Sequence, residues 1–229
     1  MRKKGNTIYF KNLPKIASYA AICGSKEKMG IIGGYADVAL DDDMYGESTY
    51  EKAECKMLTN AISLAIEKGG FKQSDIDVLL SGDLLNQIIS ASFAARSYKF
   101  PFLGVYNACS TMSESMLLGA MMVDAGHVKN AVAATGSHFA SAERQYRYPL
   151  ELGTTRPPQS QWTVTGAGGC VISDKKEGIK ITSATMGRVC DFGVTDVNNM
   201  GAAMAPAVAI IGPYVTGIKC GGMRFNTKI

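Results

Sequence analysis

Short apolar runs alternate with longer stretches whose apolar residues recur at helical spacing. That alternation restricts the fold of this chain more than any other feature. Ala17 to Gly24, Ile76 to Leu80, Phe102 to Tyr106 and Val128 to Thr135 read as strands. Ahead of the second of these, Ala53, Met57, Leu58, Ala61, Ile62, Ala65 and Ile66 form one apolar stripe, the pattern of a helix that packs by one face. Ser48-Thr49-Tyr50-Glu51 fits a capping box at its start, and Gly69-Gly70 closes it. Leu84 to Tyr98 and Met112 to Ala125 read as further helices, the second closed by Gly126. Strands separated by helices predict an α/β fold, a mostly parallel sheet flanked by helices. Trp162 to Ile172 and Gly178 to Val189 read as two closing strands joined by the polar turn Ser173 to Glu177.

One turn in this scheme carries chemistry. Phe102-Leu103-Gly104-Val105-Tyr106 leads into Asn107-Ala108-Cys109-Ser110-Thr111, and a helical run leads out. Cys109 therefore sits where a strand becomes a helix. Backbone N–H groups at a helix start are unpaired and carry partial positive charge, which favours an anion there. Such a place suits a nucleophile or an anion-binding floor. A buried structural cysteine is the competing reading.

Six separated segments raise the functional reading. They are Tyr50 to Glu54, Ser81 to Gln87, Asn107 to Thr111, Ala142 to Pro149, Trp162 to Gly168 and Asn199 to Pro206. In that order they resemble the stage V sporulation protein AD family, thiolase-fold proteins of endospore-forming bacteria. The resemblance covers about residues 7 to 206. It implies a thiolase-like N-terminal half-domain over residues 1–206, with the second half missing. Residues 207–229 then read as a divergent tail, from a truncation, a frameshift or a true variant. The family implies binding of dipicolinic acid, alone or as its calcium chelate, during uptake into the developing spore, without an established acyl transfer. It also implies membrane proteins of the stage V sporulation A group as partners and a place at the spore or forespore inner membrane. A homodimer is a further expectation.

Composition narrows the alternatives. The chain has 229 residues, 46% hydrophobic and 19% charged, which fits a globular protein rather than a disordered one. The net charge of +4 is dispersed after Lys3-Lys4, so there is no basic stripe of the kind nucleic acid needs. Cysteines 23, 55, 109, 170, 190 and 220 are widely spaced, with no CxxC and only two histidines. No metal site follows from that spacing, and no cofactor beyond Ca²⁺ as part of the ligand. The thiols read as reduced and intracellular. No signal core and no apolar run long enough to span a bilayer is present, so membrane association is expected to be peripheral.

The resemblance places Asp83 and Cys109 in a ligand pocket. Both follow strands, where open α/β sheets bind ligands. Two readings of Asp83 stand side by side. It contacts the ligand, through a Ca²⁺ bridge or as a neutral acid, or it caps the helix beginning at Leu84. His138, at the start of the long irregular stretch Ser137 to Pro158, is a weaker candidate base or ligand. Arg144 and Arg147 could grip a carboxylate, with pairing to Glu143 or an interface as the plainer reading. Asp41-Asp42-Asp43 reads as a solvated turn, and the Gly166-Ala167-Gly168-Gly169 run as close packing in a strand. Trp162 and the stripe Met116, Leu117, Ala120, Met121 read as core. If the chain is an enzyme, Cys109 is its nucleophile in a thiolase-like acyl transfer. The third reading is a non-functional fragment.

Overall fold

The computed structural model describes residues 2–146, 163–174, 176–187, 191 and 193–195. Arg147, Trp162, the Asn198 to Ala209 segment, Cys190, Cys220 and the 207–229 tail lie outside them. The strands are β1 (Arg2–Lys4), β2 (Thr7–Tyr9), β3 (Lys15–Cys23), β4 (Val38–Ala39), β5 (Val78–Gly82), β6 (Phe102–Gly104), β7 (Asn130–Ser137), β8 (Gly166–Ser173), β9 (Ile179–Lys180) and β10 (Ser183–Thr185). The helices are α1 (Ser25–Lys28), α2 (Tyr50–Lys68), α3 (Ile89–Ala95), α4 (Thr111–Asp124) and α5 (Phe139–Tyr146).

The main sheet runs β4-β3-β8-β7-β5-β6, with β9 beside β3. Pairing is parallel for β3–β4, β5–β6 and β5–β7, and antiparallel for β8 with both β3 and β7. Strands β3 to β7 therefore all point one way, and β8 and β9 run against them. The sheet is mixed, with the parallel majority that the alternating pattern predicts.

Both faces of the sheet are used. Leu79, Val132, Ala134 and Val171 pack under α2 and α3. Their strand neighbours Val78, Leu80, Ala131, Ala133 and Ile172 pack against α4 residues such as Val123 on the other face. This is the two-residue alternation of a strand buried on both sides. All seven residues of the stripe on α2 are buried. A small antiparallel sheet, β1-β2-β10, covers α4 through Ile8 and Phe10 against Ala120. Asp124 ties the two layers: its Oδ1 accepts the Asn12 N–H at 2.6 Å, and its carbonyl accepts from Asn12 Nδ2 at 2.7 Å.

The helix ends follow from local chemistry, with small shifts from the sequence expectation. The cap of α2 is Thr49, whose hydroxyl accepts the Lys52 N–H at 3.2 Å, so Ser48 and Glu51 do not close the expected box. At the other end Gly70 takes φ +65°. The Gly70 and Phe71 N–H groups bond the carbonyls of Glu67 and Ile66, the paired C-terminal closure in which glycine avoids a Cβ clash. Thr49→Ala is expected to cost about 1 kcal/mol. A urea melt checks this, and an unchanged midpoint would count against Thr49 as the cap.

The stretch Leu84 to Tyr98 is helical only from Ile89 to Ala95. A tight turn, Asn86–Ile88, precedes it, with Gln87 at φ +61° and Ile88 at φ +47°. A left-handed β-branched residue is strained, and α3 cannot extend back through two such residues. Strand β6 ends at Gly104, short of Tyr106, and forms a sheet edge with Leu103 and Tyr106 exposed. The irregular reading of Ser137 to Pro158 fails at its start, where α5 forms.

Candidate functional site

Because β3, β5 and β7 share a direction, their carboxyl ends Cys23, Gly82 and Ser137 meet at one edge. The start of β8, Gly166, pairs with both Cys23 and Ser137 there. A cavity of about 920 Å³ opens at this edge, within the size range of small-molecule sites. Its floor is the strand ends, with Ala21, Thr135, Gly166 and Gly168. Its walls include Asp83, Cys109, Thr111 and Met112, with Ile32 and Tyr35 beside them.

Asp83 follows β5 directly. Its Oδ1 accepts the Leu85 N–H at 2.7 Å and its Oδ2 the Ala91 N–H at 2.6 Å. Ala91 lies in the first turn of α3, so Asp83 caps that helix from across the strained turn. Asp83 thus caps a helix, one that starts at Ile89 rather than Leu84, and the residue also lines the cavity. The carboxyl is 2% exposed. Burial pushes its pKa up, and the N–H groups of Ala91, Leu85 and Ser90 pull it back without cancelling the rise.

Gly82 makes this arrangement possible. A Cβ at this position would run into the Val105 carbonyl and lie 2.9 Å from Thr111 Cγ2. The Val105 N–H bonds the Ser81 carbonyl at 2.9 Å. The chains leaving β5 and β6 thus touch backbone to backbone beneath the cavity.

Cys109 is exposed, on the single turn Ala108–Ser110 that leads into α4. Ala108 holds φ +43°, so the backbone is strained one residue before the thiol. The turn is braced by Ser110 Oγ donating to the Asn107 carbonyl at 2.8 Å and by the Asn107 N–H to Thr111 Oγ1 at 3.2 Å. Asn107 Nδ2 reaches Glu114 on α4 at 2.7 Å.

His138 is elsewhere. It is fully buried, packed against Tyr50 and Phe139. Its Nδ1 accepts the Ala140 N–H at 3.1 Å and its Nε2 lies 2.9 Å from the Asp43 carbonyl, which makes Nε2 the protonated nitrogen. Burial lowers its pKa and keeps the ring neutral. Both nitrogens are spent on backbone, so His138 holds α5 to the 43 loop. The Arg144 backbone belongs to α5, but its side chain and all of Arg147 lie outside the described residues.

Two further carboxylates line the cavity. Glu143, 1% exposed, accepts from the Thr163 N–H at 3.1 Å and its hydroxyl at 2.9 Å. Glu27 Oε1 accepts the Thr165 N–H at 3.2 Å, while Oε2 is buried without a hydrogen bond. With Asp83 they make three acidic groups, and no Lys, Arg or His stands among the described lining residues. No local pattern marks Glu27 as a lining residue.

Behind Asp83, the α2 residue Glu54 is completely buried. Here a signal existed: Glu54 falls on the apolar stripe, three and four residues before Met57 and Leu58. Its Oε2 accepts the Ser141 hydroxyl at 2.7 Å. Burial, more than any other cause, pushes its pKa up to about 8.

A family model described as stage V sporulation protein AD matches residues 4–217. The chain belongs to the stage V sporulation protein AD family. Stage V sporulation protein AD of Bacillus subtilis (strain 168) is 45% identical over 194 residues, which are 85% of this chain and 57% of that protein. The chain thus spans little more than half the length of this relative, and the family match continues past Pro206. Among solved structures, two variants of OleA from Xanthomonas campestris superpose with TM-scores of 0.56 and 0.53 at 15% and 16% identity. These cover 91% and 89% of this chain and 74% of each OleA chain. At that identity the likeness shows the fold alone, which is thiolase-like. None of the described helices is long and apolar enough to cross a membrane.

Proposed function

We propose that this sporulation-family protein binds dipicolinic acid, as its calcium chelate, in the cavity at the carboxyl edge of the sheet. One observation carries the reading: in a chain of this family, Asp83 and Cys109 share the wall of a cavity large enough for a small aromatic dicarboxylate. The acidic lining supports the chelate over the free dianion. Glu27, Asp83 and Glu143 would repel two bare carboxylates, whereas a bound divalent cation cancels the ligand's charge. The protein then supports uptake into the developing spore, beside membrane proteins of the stage V sporulation A group, in a peripheral position. A second copy of the chain completes the proposed assembly.

Calorimetry with dipicolinate, with and without Ca²⁺, tests the binding. Affinity is expected to rise with Ca²⁺. Cys109 is exposed, so Cys109→Trp fills the cavity without disturbing the core. It is expected to weaken binding by about tenfold or more, at the scale of one blocked contact surface, with an unchanged melting temperature. Equal affinity in a folded Cys109→Trp protein would remove the cavity from consideration.

The second reading, acyl transfer, is favoured by the exposed thiol on a strained turn in a thiolase-like fold. Cys109 sulfur would attack a thioester carbonyl, forming acyl-cysteine and expelling a thiolate that must gain a proton. His138 cannot serve as that proton donor while both of its nitrogens hold backbone. Sustained release of free CoA from an acyl-CoA, lost in Cys109→Ser, would establish this reading in place of the first.

A further inference from the structure

We propose that Glu54 is a positioning residue for the cavity wall: as a neutral acid it joins α2, α3 and α5 behind Asp83, and its ionisation loosens that wall and weakens ligand binding. The inference rests on the reading of the cavity as the dipicolinate site.

The geometry is a convergence of four elements on one buried carboxyl. Ser141 on α5 donates to Glu54 Oε2. Ser90 on α3 stands beside the same carboxyl, and the charged groups facing it are Asp83 at the end of β5 and Glu51 on α2. Glu54 Oε1 and Ser90 Oγ are buried without a hydrogen bond of good geometry, although the Ser90 side chain stands close enough to donate to the carboxyl. Glu54 is 0% exposed and Ser90 2% exposed, so water does not reach them from the surface. A buried orphan pair of this kind is costly unless something joins it. A proton on Glu54 Oε1 lets this pair bond without a buried charge, with the Ser90 hydroxyl as acceptor. A carboxylate there would instead be a buried charge facing Asp83 and Glu51, held only by the Ser141 and Ser90 hydroxyls.

The consequence for the cavity is direct. Ser90 and Ala91 belong to the turn that Asp83 caps. Ser141 lies two residues before Glu143, which lines the cavity. The bonds of Glu54 therefore reach both the α3 wall and the α5 wall. Burial raises its pKa to about 8, so the acid is neutral below that pH and ionises above it.

The test compares the full chain with Glu54→Gln, which keeps the shape and a donor but cannot ionise, and with Glu54→Ala. Dipicolinate affinity in constant Ca²⁺ is measured from pH 7 to pH 9.5, a window in which the ligand's carboxyls do not titrate. If only the neutral form binds, the wild-type affinity falls about 30-fold by pH 9.5, while Glu54→Gln stays level and matches wild type at pH 7. Glu54→Ala, with the joint removed, is expected to bind weakly at every pH. Hydrogen exchange at Leu85, Ala91 and along α5 reads the same wall without ligand: protection falls above pH 8 in wild type and not in Glu54→Gln. Parallel pH profiles for wild type and Glu54→Gln in both measurements would overturn the proposal. Failure of wild type to bind dipicolinate even at pH 7 would sink the ligand assignment instead, and the exchange profiles would then decide the role of Glu54 alone.

Discussion

Gly82→Ala is expected to destabilise the protein by about 3 kcal/mol or more, at the upper end of what overpacking costs. The added methyl meets the Val105 backbone carbonyl and the Thr111 side chain. Backbone cannot rotate aside as a flexible side chain would. Relief requires parting β5 from the chain leaving β6, and that breaks the Val105 N–H bond to Ser81. For a chain of this size the melting temperature should fall by roughly 6–12 °C. Gly168→Ala is the control, since a Cβ there finds only the Ala20 carbonyl, at an ordinary 3.8 Å. Equal melting temperatures for the two variants would mean that the contact beneath the cavity has slack this geometry does not show.

Asp83→Ala is the second large effect, and it is first an effect on stability. The substitution strips the Leu85 and Ala91 N–H groups of their acceptors in a site that is 2% exposed. Each buried donor left unpaired costs about 1–3 kcal/mol, so a total of roughly 3–5 kcal/mol is expected. Asp83→Asn keeps one carbonyl oxygen and should lose about half as much. Denaturant melts of both variants check the ranking, and a stability within 1 kcal/mol of wild type for Asp83→Ala, a change typical of surface positions, would refute the cap. Loss of ligand by Asp83→Ala would therefore not by itself identify a ligand contact, because the α3 wall depends on the same carboxyl. Cys109→Trp separates the two questions, since the Cys109 side chain is exposed rather than part of the core.

Much of the architecture was legible because it rests on periodicity. The stripe from Ala53 to Ile66 and the apolar runs of β5 and β7 bury the residues their spacing marks, while the Phe102 run leaves Leu103 and Tyr106 exposed at the sheet edge. The Cys109 turn was legible for a similar reason, as an apolar run meeting a helical one. What stayed hidden depends on contacts between distant segments. The left-handed pair Gln87 and Ile88 has no glycine to announce it, so a continuous helix from Leu84 was the natural reading. Glu27 and Glu143 enter the cavity because Thr165 and Thr163 come back to meet them, a closure no local pattern encodes. Glu54 is intermediate: a charge on an apolar stripe is visible in the sequence, but its partners on α3 and α5 are not. His138 shows the converse. Its residue type invites a chemical role, while its two backbone bonds give it a structural one.

The place of β8 in the sheet sets the order in which the molecule can assemble. Among the described residues it is the only strand bonded to both β3 and β7, and it is made on the order of 150 residues after β3. Until it arrives, β3 can reach only the two-residue β4 and has no bond to the β5–β7 half. A nascent chain lacking β8 thus holds two unjoined pieces, with unpaired strand edges and bare apolar faces between them. Closing so long a loop is slow relative to local helix formation, and the waiting edges are where such chains aggregate. A cell making this protein in quantity would need to shelter those edges through most of its synthesis.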